Sequence, residues 1–402
     1  MGVSPSAVTT TWWPACIGGH CASDRPHDAA RGGPAAGCRL VPCPMRVISM
    51  ALILVAAAAC GGTSPTDAGG YDPLPPRDSS GPPIEAPLET WTWVPIAGMT
   101  CGDGSPTGVG VNLTRRSERL VVFLNGGGAC WDAQTCFELR TAASIDTPFG
   151  AAEFEALRAN LEAYPLFGRV AGSPFQNASF VFVPYCTGDL HAGHAATQYT
   201  TASGPRTVHH VGQTNLDVLW PRLRDARPAA DRAWLIGASA GGYGAMLEQP
   251  RMRVAFGSVR VDALSDSSHP IDPVPARWDA MRLAWGLDVP IECAACATGF
   301  GGWPAHLRAT APRDARWGVL MNTRDQTIAS YFGVSQPDLA TRTLAIRDAM
   351  APGTGQAAFV IDAASHVLTA TSPPPQTTGG VGLADWVRQF AIADPAWASV
   401  GP

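Results

Sequence analysis

Residues 234–242 read Trp234-Leu235-Ile236-Gly237-Ala238-Ser239-Ala240-Gly241-Gly242. The opening apolar residues suit a buried strand, and the stretch from Ala240 to Leu247 has helical character. Ser239 therefore stands on a sharp bend between strand and helix. Gly237 and Gly241 are steric requirements of that bend, because strand and helix close on each other around a strained serine backbone. Such a turn lifts the hydroxyl above the sheet. It also aims the amide of Ala240, at the helix N-terminus, at negative charge developing beside the serine.

Outward from this bend, short apolar runs alternate with longer helical patterns. Leu120–Leu124, Phe180–Val183, Val259–Leu264, Trp317–Met321 and Ala358–Ile361 read as buried parallel strands beside Ala233–Ile236. Asn215–Arg224 and Leu383–Ala391 have helical periodicity, the latter as an amphipathic closing helix. The alternation predicts an α/β fold, a mostly parallel central sheet with helices on both faces.

A serine hydroxyl needs a base within hydrogen-bond reach, and the base needs an orienting carboxylate. On an α/β-hydrolase sheet these follow the nucleophile in the order acid, then histidine. After Ser239 come only His269, His306 and His366. His366 lies past the last strand-like run and before the closing helix, where the base belongs. His269 reads as a loop histidine with structural hydrogen bonds and His306 as a surface loop residue. Asp325 ends the run from Val319 and is the expected acid, with Asp266, at the end of the preceding strand, as the alternative. Gly126-Gly127-Gly128 after the strand Leu120–Leu124 supplies a flexible loop of backbone donors that complements the amide of Ala240 in an expected oxyanion hole.

Charged residues make up 15% of the 402 and the net charge is −5, which leaves no basic face for a phosphate backbone and excludes nucleic acid as a partner. Met45-Arg46, the apolar run Val47–Val55 and four alanines ending at Cys60 read as a signal peptide over residues 45–60, with Cys60 as a lipidation site although Ala57 stands where a lipobox usually has leucine. Residues 1–44 show no periodicity and are expected to be untranslated or disordered, with the start at Met45 or Met50. Residues 61–87, rich in Gly, Ser, Pro and Asp, are expected to be a flexible tether, and residues 88–402 one α/β-hydrolase domain. The expected location is exported, either secreted or as a bacterial cell-envelope lipoprotein whose only membrane contact is a lipid on Cys60.

Several segments, in order, resemble the pectin acetylesterase and Notum family of carboxylesterases. They are Thr100-Cys101-Gly102-Asp103-Gly104-Ser105-Pro106, Phe123-Leu124-Asn125-Gly126-Gly127-Gly128-Ala129-Cys130, Val183-Pro184-Tyr185-Cys186-Thr187-Gly188-Asp189, the Ser239 bend, Leu264-Ser265-Asp266-Ser267-Ser268, Thr323-Arg324-Asp325-Gln326 and Ser365-His366. The resemblance implies Ser239, Asp325 and His366 as the triad and Gly127, Gly128 and Ala240 as the oxyanion donors. Six cysteines after residue 90 allow 15 pairings. The resemblance implies Cys101 with Cys186 and Cys130 with Cys136, and with them Cys293 with Cys296.

Asn125 replaces the family's glutamate and Ala129 stands where plant members carry tryptophan. Asn125, Ala129, Trp131 and Asp189 are the expected substrate-pocket residues. The implied reaction is ester hydrolysis without a cofactor, on an ester substrate such as an acetylated polysaccharide, by a monomer. Alternatives are a deacylase of longer acyl chains and a catalytically inactive carbohydrate-binding or surface protein of the same fold. A metal is not expected, because the pairs His191/His194 and His209/His210 lack a third ligand at metal spacing.

Overall fold

The computed structural model describes residues 81–312 and 314–402. The expected leader, the signal segment with Cys60, and the tether as far as residue 80 lie outside them. The last part of the tether differs from expectation. Ile84 is buried in the core and the Arg222 guanidinium donates to the Pro82 carbonyl, so the chain is packed before Leu88.

The strands are β1 (Thr92–Thr100), β2 (Pro106–Asn112), β3 (Leu120–Leu124), β4 (Ser179–Val183), β5 (Ala195–Thr201), β6 (Gly204–His210), β7 (Arg232–Ala238), β8 (Arg260–Asp266), β9 (Trp317–Asn322) and β10 (Gln356–Ile361). The helices are α1 (Ala151–Ala163), α2 (Gly212–Ala226), α3 (Ala240–Phe256), α4 (Pro275–Trp285), α5 (Trp303–Thr310), α6 (Gln326–Phe332), α7 (Gln336–Ala349) and α8 (Leu383–Ala391). Among the described residues the main sheet runs β1-β2-β4-β3-β7-β8-β9-β10, with β5 and β6 as a separate hairpin. β2 pairs antiparallel with β1 and β4, and every pair from β4 to β10 is parallel.

This is the expected α/β-hydrolase-like sheet, and all six expected strand runs lie in it. Side chains alternate between its two faces. Leu120, Val122 and Leu124 of β3 join one core with Leu216 and Trp220 of α2, Met246 of α3 and Trp278 of α4. Val121 and Phe123 join the other, with Phe154 of α1 and Trp386 and Phe390 of α8. Leu383, Trp386, Val387 and Phe390 recur at helical spacing and bury one stripe of α8.

The disulfides are Cys101–Cys186, Cys130–Cys136 and Cys293–Cys296. Cys101–Cys186 closes a loop of sequence separation 85 and ties the end of β1 to the segment after β4. Chain entropy makes it the most stabilising of the three. Replacing both cysteines by alanine is expected to cost about 4 kcal/mol, read as a fall in denaturant midpoint. An unchanged midpoint would show that this bridge restrains nothing the rest of the fold does not already fix.

Candidate active site

β7 ends at Ala238 and α3 begins at Ala240, so Ser239 alone makes the bend, with φ 55° and ψ −121°. A Cβ on Gly237 would lie 1.9 Å from the Gly241 carbonyl oxygen, and one on Gly241 would lie 1.9 Å from that of Leu124. No side chain fits either position. The backbone is anchored from β8, where the Asp266 carbonyl accepts from the Ser239 amide at 2.8 Å.

The Ser239 Oγ lies 2.9 Å from His366 Nε2, and His366 Nδ1 lies 2.8 Å from Asp325 Oδ2. A carboxylate there accepts the Nδ1 proton and leaves Nε2 as the acceptor facing the serine hydroxyl. Asp325 is fully buried and caps α6, its Oδ1 accepting from the Ile328 amide at 3.1 Å. One carboxylate therefore both starts the helix and holds the imidazole. The His366 side chain is 20% exposed, which leaves it reachable from solvent.

Asp266, the expected alternative acid, is engaged elsewhere. Its carboxylate accepts from the amides of Leu368 and Thr369 at 2.9 and 2.8 Å and from the hydroxyls of Thr369 and Ser267. Burial pushes its pKa up, and these donors pull it back. His269 is buried with Nε2 at 2.9 Å from the Asn322 carbonyl, and burial pushes its pKa down. His306 departs from its expected surface loop. It lies in α5, where helical spacing places it with Trp303 and Leu307 on the buried face.

β3 leads into Gly126, Gly127 and Gly128. A Cβ on Gly127 would meet the Tyr185 ring at 2.6 Å, and Gly128 has φ +76° with a Cβ position 2.0 Å from the Thr141 carbonyl oxygen. The Gly127 carbonyl accepts from the Ala143 amide and that of Gly128 from the Tyr185 hydroxyl, both at 2.8 Å. No hydrogen bond among the described residues uses the amides of Gly127 or Gly128. Ala240 adds a helix N-terminal amide without an intrahelical partner.

Gly128, Ala129, Ser239 and Ala240 border a cavity of about 20 Å³ whose other walls include Leu190, Met281, Ile328 and Phe332. Of the expected pocket residues Ala129 lines it, while Asn125, Trp131 and Asp189 do not. Asp189 is fully buried and accepts from Thr187 Oγ1 and the amides of His191 and Gly212. Trp131 stands edge-on to Tyr331, which does line the cavity. Asn125 offers its carbonyl to His191 Nε2 at 2.8 Å. A cleft of about 490 Å³ lined by Gln249, Arg316, Trp317 and Gln356 opens at the amino ends of β9 and β10, opposite the end that carries Ser239.

Residues 90–280 match the pectinacetylesterase family. Over that segment the chain is similar to the pectinacetylesterase and Notum family. Palmitoleoyl-protein carboxylesterase NOTUM of Homo sapiens is 27% identical over 184 residues, 43% of this chain and 35% of that protein. Its counterpart in Drosophila melanogaster is 28% identical over 217 residues, 48% of this chain and 31% of that protein. Inactive palmitoleoyl-protein carboxylesterase notum1b of Danio rerio is 34% identical over 100 residues, 24% of this chain and 66% of that protein. The match spans about a third of the length of the first two.

Within the segment that matches the pectinacetylesterase family lie Ser239, the glycine loop and Asp266, whereas Asp325 and His366 follow it. The acid and base therefore rest on geometry. Cys130, Cys136 and His210 also converge at metal-ligand distance, but the two sulfurs are joined to each other. Both His210 nitrogens are engaged, by the Thr187 carbonyl and the Tyr199 hydroxyl. The residues that sequence reasoning missed are Met281, Ile328 and Phe332. Helical spacing from the cap Asp325 is a signal that could have found the last two.

Proposed function

We propose that this chain is an exported serine carboxylester hydrolase for esters of short acyl groups. The observation that carries the reading is the continuous hydrogen-bonded series from Ser239 Oγ through His366 to Asp325. His366 Nε2 takes the hydroxyl proton as Ser239 Oγ bonds to the ester carbonyl carbon, and Asp325 stabilises the imidazolium. The amides of Gly127, Gly128 and Ala240 hold the oxyanion. The carbon–alkoxy bond then breaks, and His366 returns the proton to the departing alcohol. Water, deprotonated by His366, releases the acid from Ser239. The three disulfides support an oxidising compartment. That fits export through the segment ending at Cys60, and an acetylated polysaccharide is an ester such an enzyme meets outside the cell.

The cavity beside Ser239 sets the acyl preference. Roughly 10–15 Å³ holds one water, so a space of about 20 Å³ takes a methyl group and not an extended chain. The relatives named for palmitoleoyl-protein carry a far longer acyl group in their name. The test is kcat/KM on p-nitrophenyl acetate, butyrate and octanoate, with acetate expected to lead. A preference for octanoate would overturn the short-acyl reading, and no turnover of any ester would overturn the hydrolase reading. Ile328→Ala is expected to raise butyrate relative to acetate by about 10-fold, since one methylene in an apolar pocket is worth roughly that.

A further inference from the structure

Three loops meet at the carboxyl end of the sheet, and each contains a non-glycine residue in the left-handed region: Ser239 at φ 55°, Ser267 at φ 52° and Val367 at φ 64°. Val367 is β-branched, and β-branched residues rarely adopt this conformation. Strained residues persist where their surroundings over-determine them. Here the surroundings are one another. The Val367 amide donates to Ser267 Oγ at 2.8 Å, and the Asp266 carboxylate takes the amides of Leu368 and Thr369 and the Thr369 hydroxyl. The other edge of the same tripeptide grips the nucleophile. The Asp266 carbonyl accepts from the Ser239 amide, and Ser268 Oγ donates to the Ser239 carbonyl at 2.7 Å. A Cβ on Gly242 would lie 2.0 Å from Ser268 Oγ, so α3 is bare where the hydroxyl enters. Asp266, Ser267 and Ser268 are each exposed by 1% or less, and water cannot replace them.

We propose that Asp266, Ser267 and Ser268 are positioning residues: they form a bracket that fixes the separation between Ser239 Oγ and His366 Nε2. The inference rests on the hydrolase reading. It assigns Asp266 a role distinct from that of Asp325, because its carboxylate holds the backbone after His366 rather than the imidazole. Four donors converge on it, so Asp266→Asn turns an amide group toward at least one N–H that needs an acceptor. Ser267→Gly removes the hydroxyl that holds Val367 while suiting φ 52° better than serine does.

The experiment measures kcat, KM, thermal midpoint and hydrogen exchange of the segment 365–371 in Asp266→Asn and Ser267→Gly. Misplacing a base by a fraction of an ångström is expected to lower kcat on p-nitrophenyl acetate by roughly 10- to 100-fold, with KM within about twofold. Exchange in 365–371 should rise in both variants. Ser267→Gly keeps the test open where Asp266→Asn fails to fold, because it relieves backbone strain as it removes the contact. Wild-type kcat per folded molecule together with unchanged exchange in 365–371 would overturn the bracket. A wild-type chain that hydrolyses no ester would overturn the proposed function instead, and the exchange of 365–371 would still decide whether the tripeptide holds the His366 loop.

Discussion

Ser239→Ala is expected to lower kcat on p-nitrophenyl acetate by on the order of 10⁶-fold, the scale seen when a triad nucleophile is removed. The substitution takes away one oxygen at a residue that is 9% exposed, while the Ser239 amide still donates to Asp266 and the bend remains. The fold should therefore survive, with a thermal midpoint close to that of the wild type. Residual turnover above the uncatalysed rate is expected from the free amides of Gly127, Gly128 and Ala240, which polarise a bound carbonyl without the nucleophile. A loss of only a few-fold would place the reacting group elsewhere.

Asp325→Asn is expected to lower kcat by about 10⁴-fold, because the wrong imidazole tautomer is then favoured. Asparagine keeps an oxygen to accept from the Ile328 amide, so the cap of α6 is retained. Its amide NH₂ faces His366 Nδ1, and the imidazole proton moves to Nε2, pointing at the hydroxyl it should deprotonate. The same substitution at Asp266 is expected to act more weakly. Matching losses in both variants would show that the carboxylate tied to the imidazole has no special standing over the one tied to the loop behind it. The measurement is a side-by-side kcat determination of the two variants on one ester.

The sheet and the core of the site were legible because their signals are steric and local. Fully buried strands such as Leu120–Leu124 write themselves as apolar runs, and the glycines at 237 and 241 stand where a Cβ would strike backbone at 1.9 Å. β1 and β2 were not legible. β1 carries Pro95 and an irregular register, and β2 includes Gly108 and Gly110, which yield to Val94 and to the Phe154 ring rather than displaying an apolar run. Helical character is legible from Ala240 to Leu247, whereas α3 continues through Pro250 to Phe256. His306 was misplaced because its neighbours Trp303 and Pro304 read as a loop, while the helix they begin buries it.

The cavity beside Ser239 was the least legible part. Met281, Ile328 and Phe332 come from two helices separated in sequence, and only packing brings them beside Ser239. Asp189 stands out in the sequence as a carboxylate past a strand end, but its polarity is spent inside the fold. Asp189 satisfies the turn around Gly212 and His191, and a side chain with three buried donors has nothing left for a substrate.

The most direct measurement is rapid-quench mass spectrometry of the chain mixed with p-nitrophenyl acetate, followed by peptide mapping. One acetyl group per chain on the peptide carrying Ser239, formed with a burst of p-nitrophenol and missing from Ser239→Ala, is the predicted result. Acetylation at another residue, or a burst of the same size in Ser239→Ala, would contradict it.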